Sequence, residues 1–203
     1  MKISDAQHPG SSSARPTDHR LVYGEIVPIM RWAGSKRKSL QSLTAFWSDK
    51  FGRYIEPFVG SACLFLKLKP KAAILSDLNS SLIETYRTIQ RKPRAIAEML
   101  YAMPRDSKTY YVVRQRIKSV TNPTERAAYF VYLNRNCFNG IYRTNTDGHF
   151  NVPMGRRPGE YFSREDLIAC SRMLATTTLV AGDFVKTLER VSDGDFVYLD
   201  PPY

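Results

Sequence analysis

Histidine and cysteine are scarce, with three of each in 203 residues. The cysteines, Cys63, Cys137 and Cys170, are odd in number and show no Cys-x-x-Cys spacing, which argues against a disulfide framework and a structural zinc site. The histidines are scattered too, so no metal is expected. No stretch approaches the ~18 uninterrupted apolar residues that a membrane span needs. The first twenty residues are polar and lack the apolar segment of a secretory leader, so the expectation is a cytoplasmic protein. Acidic residues are the remaining shortage: 19 Asp and Glu face 30 Lys and Arg, a formal net charge of +11. That excess points to nucleic acid or an anionic surface as partner. What is present is globular in character, 43% hydrophobic and 12% aromatic. The length leaves room for one domain with a sizeable insertion, and no internal repeat is visible.

Residues 1–22, with Pro9-Gly10-Ser11-Ser12-Ser13 and Arg15-Pro16, read as a flexible tail. A helix is expected behind Ser35 as N-cap, with Leu40, Leu43, Phe46 and Trp47 as its apolar stripe. Tyr54 to Gly60 is a short apolar run closed by glycine, and Ala62 to Leu66 continues as a buried helix. Ala72 to Asp77 is a second strand ending on a carboxylate, and Ser81-Leu82-Ile83-Glu84 has the form of a capping box opening a helix towards Gln90. The order is that of a βαβα unit with a parallel sheet. Residues 87–165 then hold fifteen Lys and Arg against six Asp and Glu, +9 of the total +11. Within them Asn122-Pro123 is a helix start, and Thr146-Asp147-Gly148-His149 a hairpin turn. Strand character returns at 178–184 and 195–200. The expected organisation is an α/β domain over 23–90 and 170–203, interrupted by a basic, mainly helical insertion over 91–169.

Ligands of an open parallel sheet bind outside the carboxyl ends of its strands. Gly60 closes the first strand, where a missing Cβ lets a ligand approach the backbone. Asp77 closes the second, seventeen residues on, near the ~20 expected of a ribose-binding carboxylate. Taken alone, Phe-Val-Gly-Ser is also an ordinary turn and Asp-Leu-Asn an ordinary helix entry. Asp200-Pro201-Pro202-Tyr203 is sharper. The prolines fix the backbone and leave carbonyls free to accept, so a carboxylate and a carbonyl suit an exocyclic amine, and the Tyr203 ring offers a stacking face.

Six stretches in order, Arg31-Trp32-Ala33-Gly34-Ser35-Lys36, Glu56-Pro57-Phe58-Val59-Gly60-Ser61, Ser76-Asp77-Leu78-Asn79, Tyr132-Leu133-Asn134-Arg135 through Phe138-Asn139-Gly140, Phe150-Asn151-Val152-Pro153-Met154-Gly155 and Asp200-Pro201-Pro202-Tyr203, resemble the Dam-type (D12 class) DNA adenine-N6 methyltransferases. The resemblance covers residues 30–203. It implies a Rossmann-like methyltransferase sheet with an inserted DNA target-recognition domain, S-adenosylmethionine as methyl donor, double-stranded DNA as substrate and a bacterial or phage setting. It implies Trp32, Lys36, Phe58, Gly60, Asp77, Asp183 and Asp200 as cofactor-binding residues. The catalytic group would be Asp200, Pro201, Pro202 and Tyr203. Arg31, Phe138, Asn139, Ile141, Arg143 and Pro153 would meet the DNA, with Phe138 as a stacking wedge. Arg143 is long enough for a bidentate contact to guanine O6 and N7, and Ile141 and Pro153 suit a thymine methyl, a set that fits a GATC-like site. The target base would have to flip out of the duplex, at a few kcal/mol of unstacking.

Two departures from the family pattern stand out. Ala62 occupies the small-residue position after Gly60-Ser61, and the sequence stops at Tyr203, where the family continues. The expectation is therefore an incomplete sheet with an apolar edge at 196–199, completed by a further segment or a partner chain. Two other functions fit parts of the pattern: methylation of another planar amine, such as cytosine N4 or a glutamine side chain, and an inactive DNA-binding fragment.

Overall fold

The computed structural model describes residues 27–156 and 161–201. The tail over 1–22, and Pro202 and Tyr203 of the last motif, lie outside these residues. Four parallel strands form the sheet, β1 (Tyr54–Glu56), β2 (Ala73–Asp77), β3 (Thr177–Ala181) and β4 (Phe196–Val197), in the order β3-β2-β1-β4. Tyr54 pairs with Ala73 on one side and Phe196 on the other. From β1 the chain steps outward through β2 to β3, then returns to the opposite side of β1 as β4. The direction of winding thus reverses between β1 and β4, where a crevice opens at the strands' carboxyl ends.

The helices are α1 (Leu40–Thr44), α2 (Cys63–Leu68), α3 (Ser80–Arg91), α4 (Pro93–Ala102), α5 (Ser107–Arg116), α6 (Pro123–Asn136), α7 (Arg164–Leu174) and α8 (Val185–Leu188). Asn122 caps α6 as its sequence implies, accepting from the amides of Thr124 and Glu125 with Pro123 at the first position. From Ala127 to Asn136 this helix is buried on every side, the pattern of a central helix rather than a surface one. It packs on α3, α4 and α5, so one core runs from the sheet through the basic segment. Two tyrosines of this core satisfy loop carbonyls: the Tyr132 hydroxyl donates to Pro104 O at 2.6 Å, and Tyr110 to Val152 O at 2.9 Å.

Several local expectations change. The segment behind Ser35 is a 3₁₀ turn (Arg37–Ser39) followed by the short α1, with no side-chain cap at either start. Trp47 packs with Phe51, Tyr54 and Phe196, whereas Phe46 is 69% exposed and no part of a buried stripe. Asn79, rather than Ser81, caps α3: Asp77 Oδ1 accepts from the Asn79 amide, and Asn79 Oδ1 then accepts from Leu82 N. The strand expected at 178–184 is 177–181, ending at Gly182 with φ +139. The one expected over 195–200 keeps only Phe196–Val197 as strand. Its start is fixed by Arg53, whose guanidinium donates to both Asp195 oxygens at 3.0 and 2.6 Å. The boundary placed between 169 and 170 falls inside α7. The hairpin lies where expected: Thr144 bridges Phe150, and Asn145 N donates to His149 O at 2.9 Å. All three cysteines are free and buried. Among the described residues no helix is long and apolar enough to cross a membrane, and no His, Cys, Asp and Glu cluster could hold a metal.

Candidate active site

A cleft of about 240 Å³ opens at the carboxyl ends of β1, β2 and β4. Trp32, Lys36, Phe58, Gly60, Asp77, Asp200 and Pro201 all line it, joined by Glu56. Gly60 follows β1 with φ +43, and a Cβ there would stand 2.7 Å from the Trp32 indole. Glycine is therefore required twice, by conformation and by the approach of the ring. The Gly60 amide donates to Asp77 Oδ2 at 3.1 Å, and its carbonyl accepts from the buried Tyr86 hydroxyl at 2.8 Å. Asp77 is thus held by two backbone amides, those of Gly60 and Asn79. Burial nonetheless raises its pKa, with the two amides pulling the other way. Each of its oxygens keeps a lone pair for a further donor.

Asp200 follows β4 and meets Lys36, whose Nζ lies 2.8 Å from Asp200 Oδ1. The Tyr198 hydroxyl donates to the other oxygen at 3.4 Å. The pair joins the loop before α1 to the loop after β4 across the mouth of the crevice. The cleft therefore offers one amine and three carboxyls. The third, Glu56, is only 4% exposed and accepts from Tyr54 Oη at 3.0 Å. Its burial, with the Asp200 and Asp77 charges nearby, pushes its pKa up to about 8. Sequence reasoning did not single Glu56 out, although an acidic residue closing the apolar run Tyr54-Ile55 was the available signal.

Asp183 does not line the cleft. It is exposed, and its Oδ1 accepts from Val185 N at 2.9 Å at the start of α8. Its neighbours do reach the site: Gly182 N donates to Asp77 O at 3.0 Å, and Phe184 packs on Phe58 at 5.3 Å.

The residues assigned to DNA gather on one surface. Phe138 N donates to Pro153 O at 2.9 Å, joining the two motif segments. Phe138 is 50% exposed and Ile141 36%, and Asn139, Arg143 and Pro153 are exposed as well. Asn139 takes φ +54 and Gly140 φ +66, and a Cβ on Gly140 would stand 2.5 Å from Arg31 Cβ. Arg31 is therefore packed against the turn that carries the other residues. Arg143 Nε donates to Asn151 Oδ1 at 3.0 Å across the hairpin. Its terminal nitrogens have no partner among the described residues.

Two further residues explain how this surface is tied to the cleft. Asn134 makes a reciprocal pair with Arg31, accepting from its amide at 2.8 Å and donating to its carbonyl at 2.7 Å. Arg135, buried, donates to Ile29 O at 2.8 Å and Pro28 O at 2.6 Å. Burial lowers its pKa to about 10, with Arg37 and Arg31 adding to the effect. The signal in the sequence was a polar pair placed directly after the apolar run Ala127–Leu133.

The sequence pattern of the D12 class N6 adenine-specific DNA methyltransferases matches residues 32–203. The chain belongs to that family. It is 37% identical over 188 residues to a type II methyltransferase of Lactococcus lactis subsp. cremoris, covering 88% of this chain and 66% of the relative. A DNA N-6-adenine-methyltransferase of Escherichia phage P1 is 35% identical over 86% of this chain and 24% of its own length. A DNA adenine methylase of Serratia marcescens is 35% identical over 86% of this chain and 66% of its own. This member of the family thus spans just under two thirds of two of these relatives and a quarter of the third. The parallel sheet with its crevice at the β1–β4 switch agrees with a methyltransferase fold.

Proposed function

We propose that the protein transfers a methyl group from S-adenosylmethionine to N6 of adenine in double-stranded DNA. The observation that carries this reading is the convergence of Asp77, Asp200 and Lys36 on one cleft at the sheet's switch point, in a chain of an adenine-specific family. The donor set suits the cofactor, which has two cationic centres, one carboxylate and a ribose diol. Asp77, oriented by two amides, can accept from the ribose hydroxyls. Lys36 can pair with the cofactor's carboxylate, the Asp200 carboxylate favours a cationic centre, and Glu56 offers a buried hydrogen-bonding carboxyl. Gly60 admits the Trp32 ring to the cleft wall, and the Trp32 and Phe58 rings offer apolar faces for the flat part of the cofactor. When bound, S-adenosylmethionine supplies a sulfonium methyl as electrophile.

The chain's own work is orientation and charge. Asp200 Oδ and the Pro201 carbonyl accept the two amine hydrogens of a flipped adenine, which turns the nitrogen lone pair towards the cleft and stabilises the charge that develops on it. Tyr203 stacks on the base. The basic segment over 91–169 acts as the target-recognition unit. Arg143 is assigned to a guanine, and Ile141 and Pro153 to thymine methyls, in a GATC-like site. The test is tritiated-methyl transfer to adenine-containing duplexes by the purified protein. Asp200→Ala is expected to abolish transfer and leave duplex affinity within about twofold, because phosphate contacts dominate affinity. Substantial turnover by this variant would remove Asp200 from the reaction.

A further inference from the structure

Tyr142 lies between Ile141 and Arg143, two exposed residues of the recognition segment, yet its own ring turns inward. It stacks on Trp32 with centroids 5.8 Å apart and planes at 16°, and packs against Phe130 at 5.0 Å and Phe150 at 5.6 Å. Trp32 in turn presses on Gly60. The indole is therefore gripped between the glycine turn of the cleft and a ring from the hairpin. The side chains of Ser81 and Asn79 face the Tyr142 hydroxyl and counter the burial that raises its pKa. Asn79 belongs to the turn that presents Asp77. One side chain thus touches the recognition segment, the Trp32 wall and the Asp77 turn.

Behind Tyr142 lies a second cavity of about 350 Å³, bordered by Ser81, Thr85, Arg126, Phe130 and Phe150. Tyr142 lines that cavity and Trp32 lines the cleft, so the stacked pair is the partition between them. Loss of the Tyr142 ring would enlarge the void on the far side of Trp32 and remove its backing. Close-packed interiors hold a ring in place by contacts on both faces, and a ring backed on one face is free to rotate.

We infer that Tyr142 is a positioning residue for the cofactor: it holds Trp32 at the wall of the cleft, although it sits in the segment that reads DNA. The inference rests on the reading of the cleft as the S-adenosylmethionine site. The experiment measures cofactor binding to the purified protein by calorimetry for wild type, Tyr142→Leu, Tyr142→Phe, Trp32→Leu and the double variant. Tyr142→Leu is expected to weaken binding by about 2- to 10-fold, the range an aromatic pair supplies. Tyr142→Phe, which keeps the stack, should remain within about twofold of wild type on the same argument. The double variant should be no weaker than Trp32→Leu, since both changes break one contact.

A spectroscopic readout separates positioning from general stability. In a Trp47→Phe background Trp32 is the sole tryptophan. Its emission should move to the red in Tyr142→Leu and stay put in Tyr142→Phe. In steady-state methylation, Tyr142→Leu should raise KM for the cofactor and leave kcat unchanged. Should Tyr142→Leu fail to fold, Tyr142→His, with a smaller stacking face, carries the same comparison at lower amplitude. Wild-type affinity in a folded Tyr142→Leu, full additivity in the double variant, or a fall in kcat with KM unchanged would overturn the inference. Absence of cofactor binding by the wild type would overturn the reading of the cleft itself, and the inference with it.

Discussion

Glu56→Gln should stabilise the protein, and by an amount that depends on pH. The Glu56 carboxyl is buried at the end of the central strand, accepts one hydrogen bond from Tyr54, and has its pKa raised from 4.5 to about 8. Between those values the folded protein retains a proton that the unfolded chain has released, so stability falls as pH rises through the window. Below about 4.5 both states are protonated and the term vanishes; above about 8 it is complete. A shift from 4.5 to about 8, at ~1.4 kcal/mol per unit, amounts to about 5 kcal/mol. Glutamine keeps the acceptor for Tyr54 and the volume, and carries no charge to desolvate. For a chain of this size the difference corresponds to roughly 10 °C or more in Tm. The assay is thermal unfolding of wild type and Glu56→Gln from pH 5 to pH 9. The two should lie closest at pH 5 and separate to the full difference above pH 8. Asp77, whose pKa is also raised, leaves a residual slope of the same sign in the variant. Parallel profiles, or a variant less stable at every pH, would refute the placement of a neutral Glu56 in the cleft.

Gly140→Ala combines a left-handed residue with a Cβ set into Arg31. It should cost about 1–2 kcal/mol from backbone conformation alone, read as a lower Tm, and should weaken duplex binding by displacing Arg31. Arg143→Ala should relax sequence preference in methylation-sensitive digests by about 1–3 kcal/mol at one base position, with non-specific duplex affinity changed far less. An unchanged preference would place Arg143 on phosphate.

The parallel sheet and the cleft were legible because they rest on local signals. Apolar runs closed by Gly60, Asp77 and Asp200 mark strand ends, and strand ends are where an open sheet binds ligands. What escaped were features set by distant partners. Ser81 and Glu84 carry a capping pattern, but the cap goes to Asn79, two residues upstream, because Asp77 accepts from its amide and fixes the turn there. The apolar stretch 195–200 reads as a strand, yet β1 supplies a partner over only two residues. Asp183 was implied by the family resemblance alone, and the structure shows it exposed, with Oδ1 accepting from Val185 N. Net charge marked 91–169 as a separate unit, whereas the burial of α6 makes that segment half of the core. Charge density reports what a surface meets, and it carries no information on what lies beneath.

The hold of Asn134 and Arg135 on residues 28–31 also bears on how the molecule assembles. These contacts join positions 103 to 107 residues apart, so closing them costs loop entropy that only a nearly finished structure can recover. The end of α6 anchors the segment just before Trp32, so the final seating of that ring on Gly60 draws on contacts completed late in the chain. On a ribosome, the first cleft residues to be synthesised would be among the last to settle. In native-state hydrogen exchange the amide of Arg31, bonded to Asn134, would then report the opening of this late-docking strap separately from the slower exchange of the sheet.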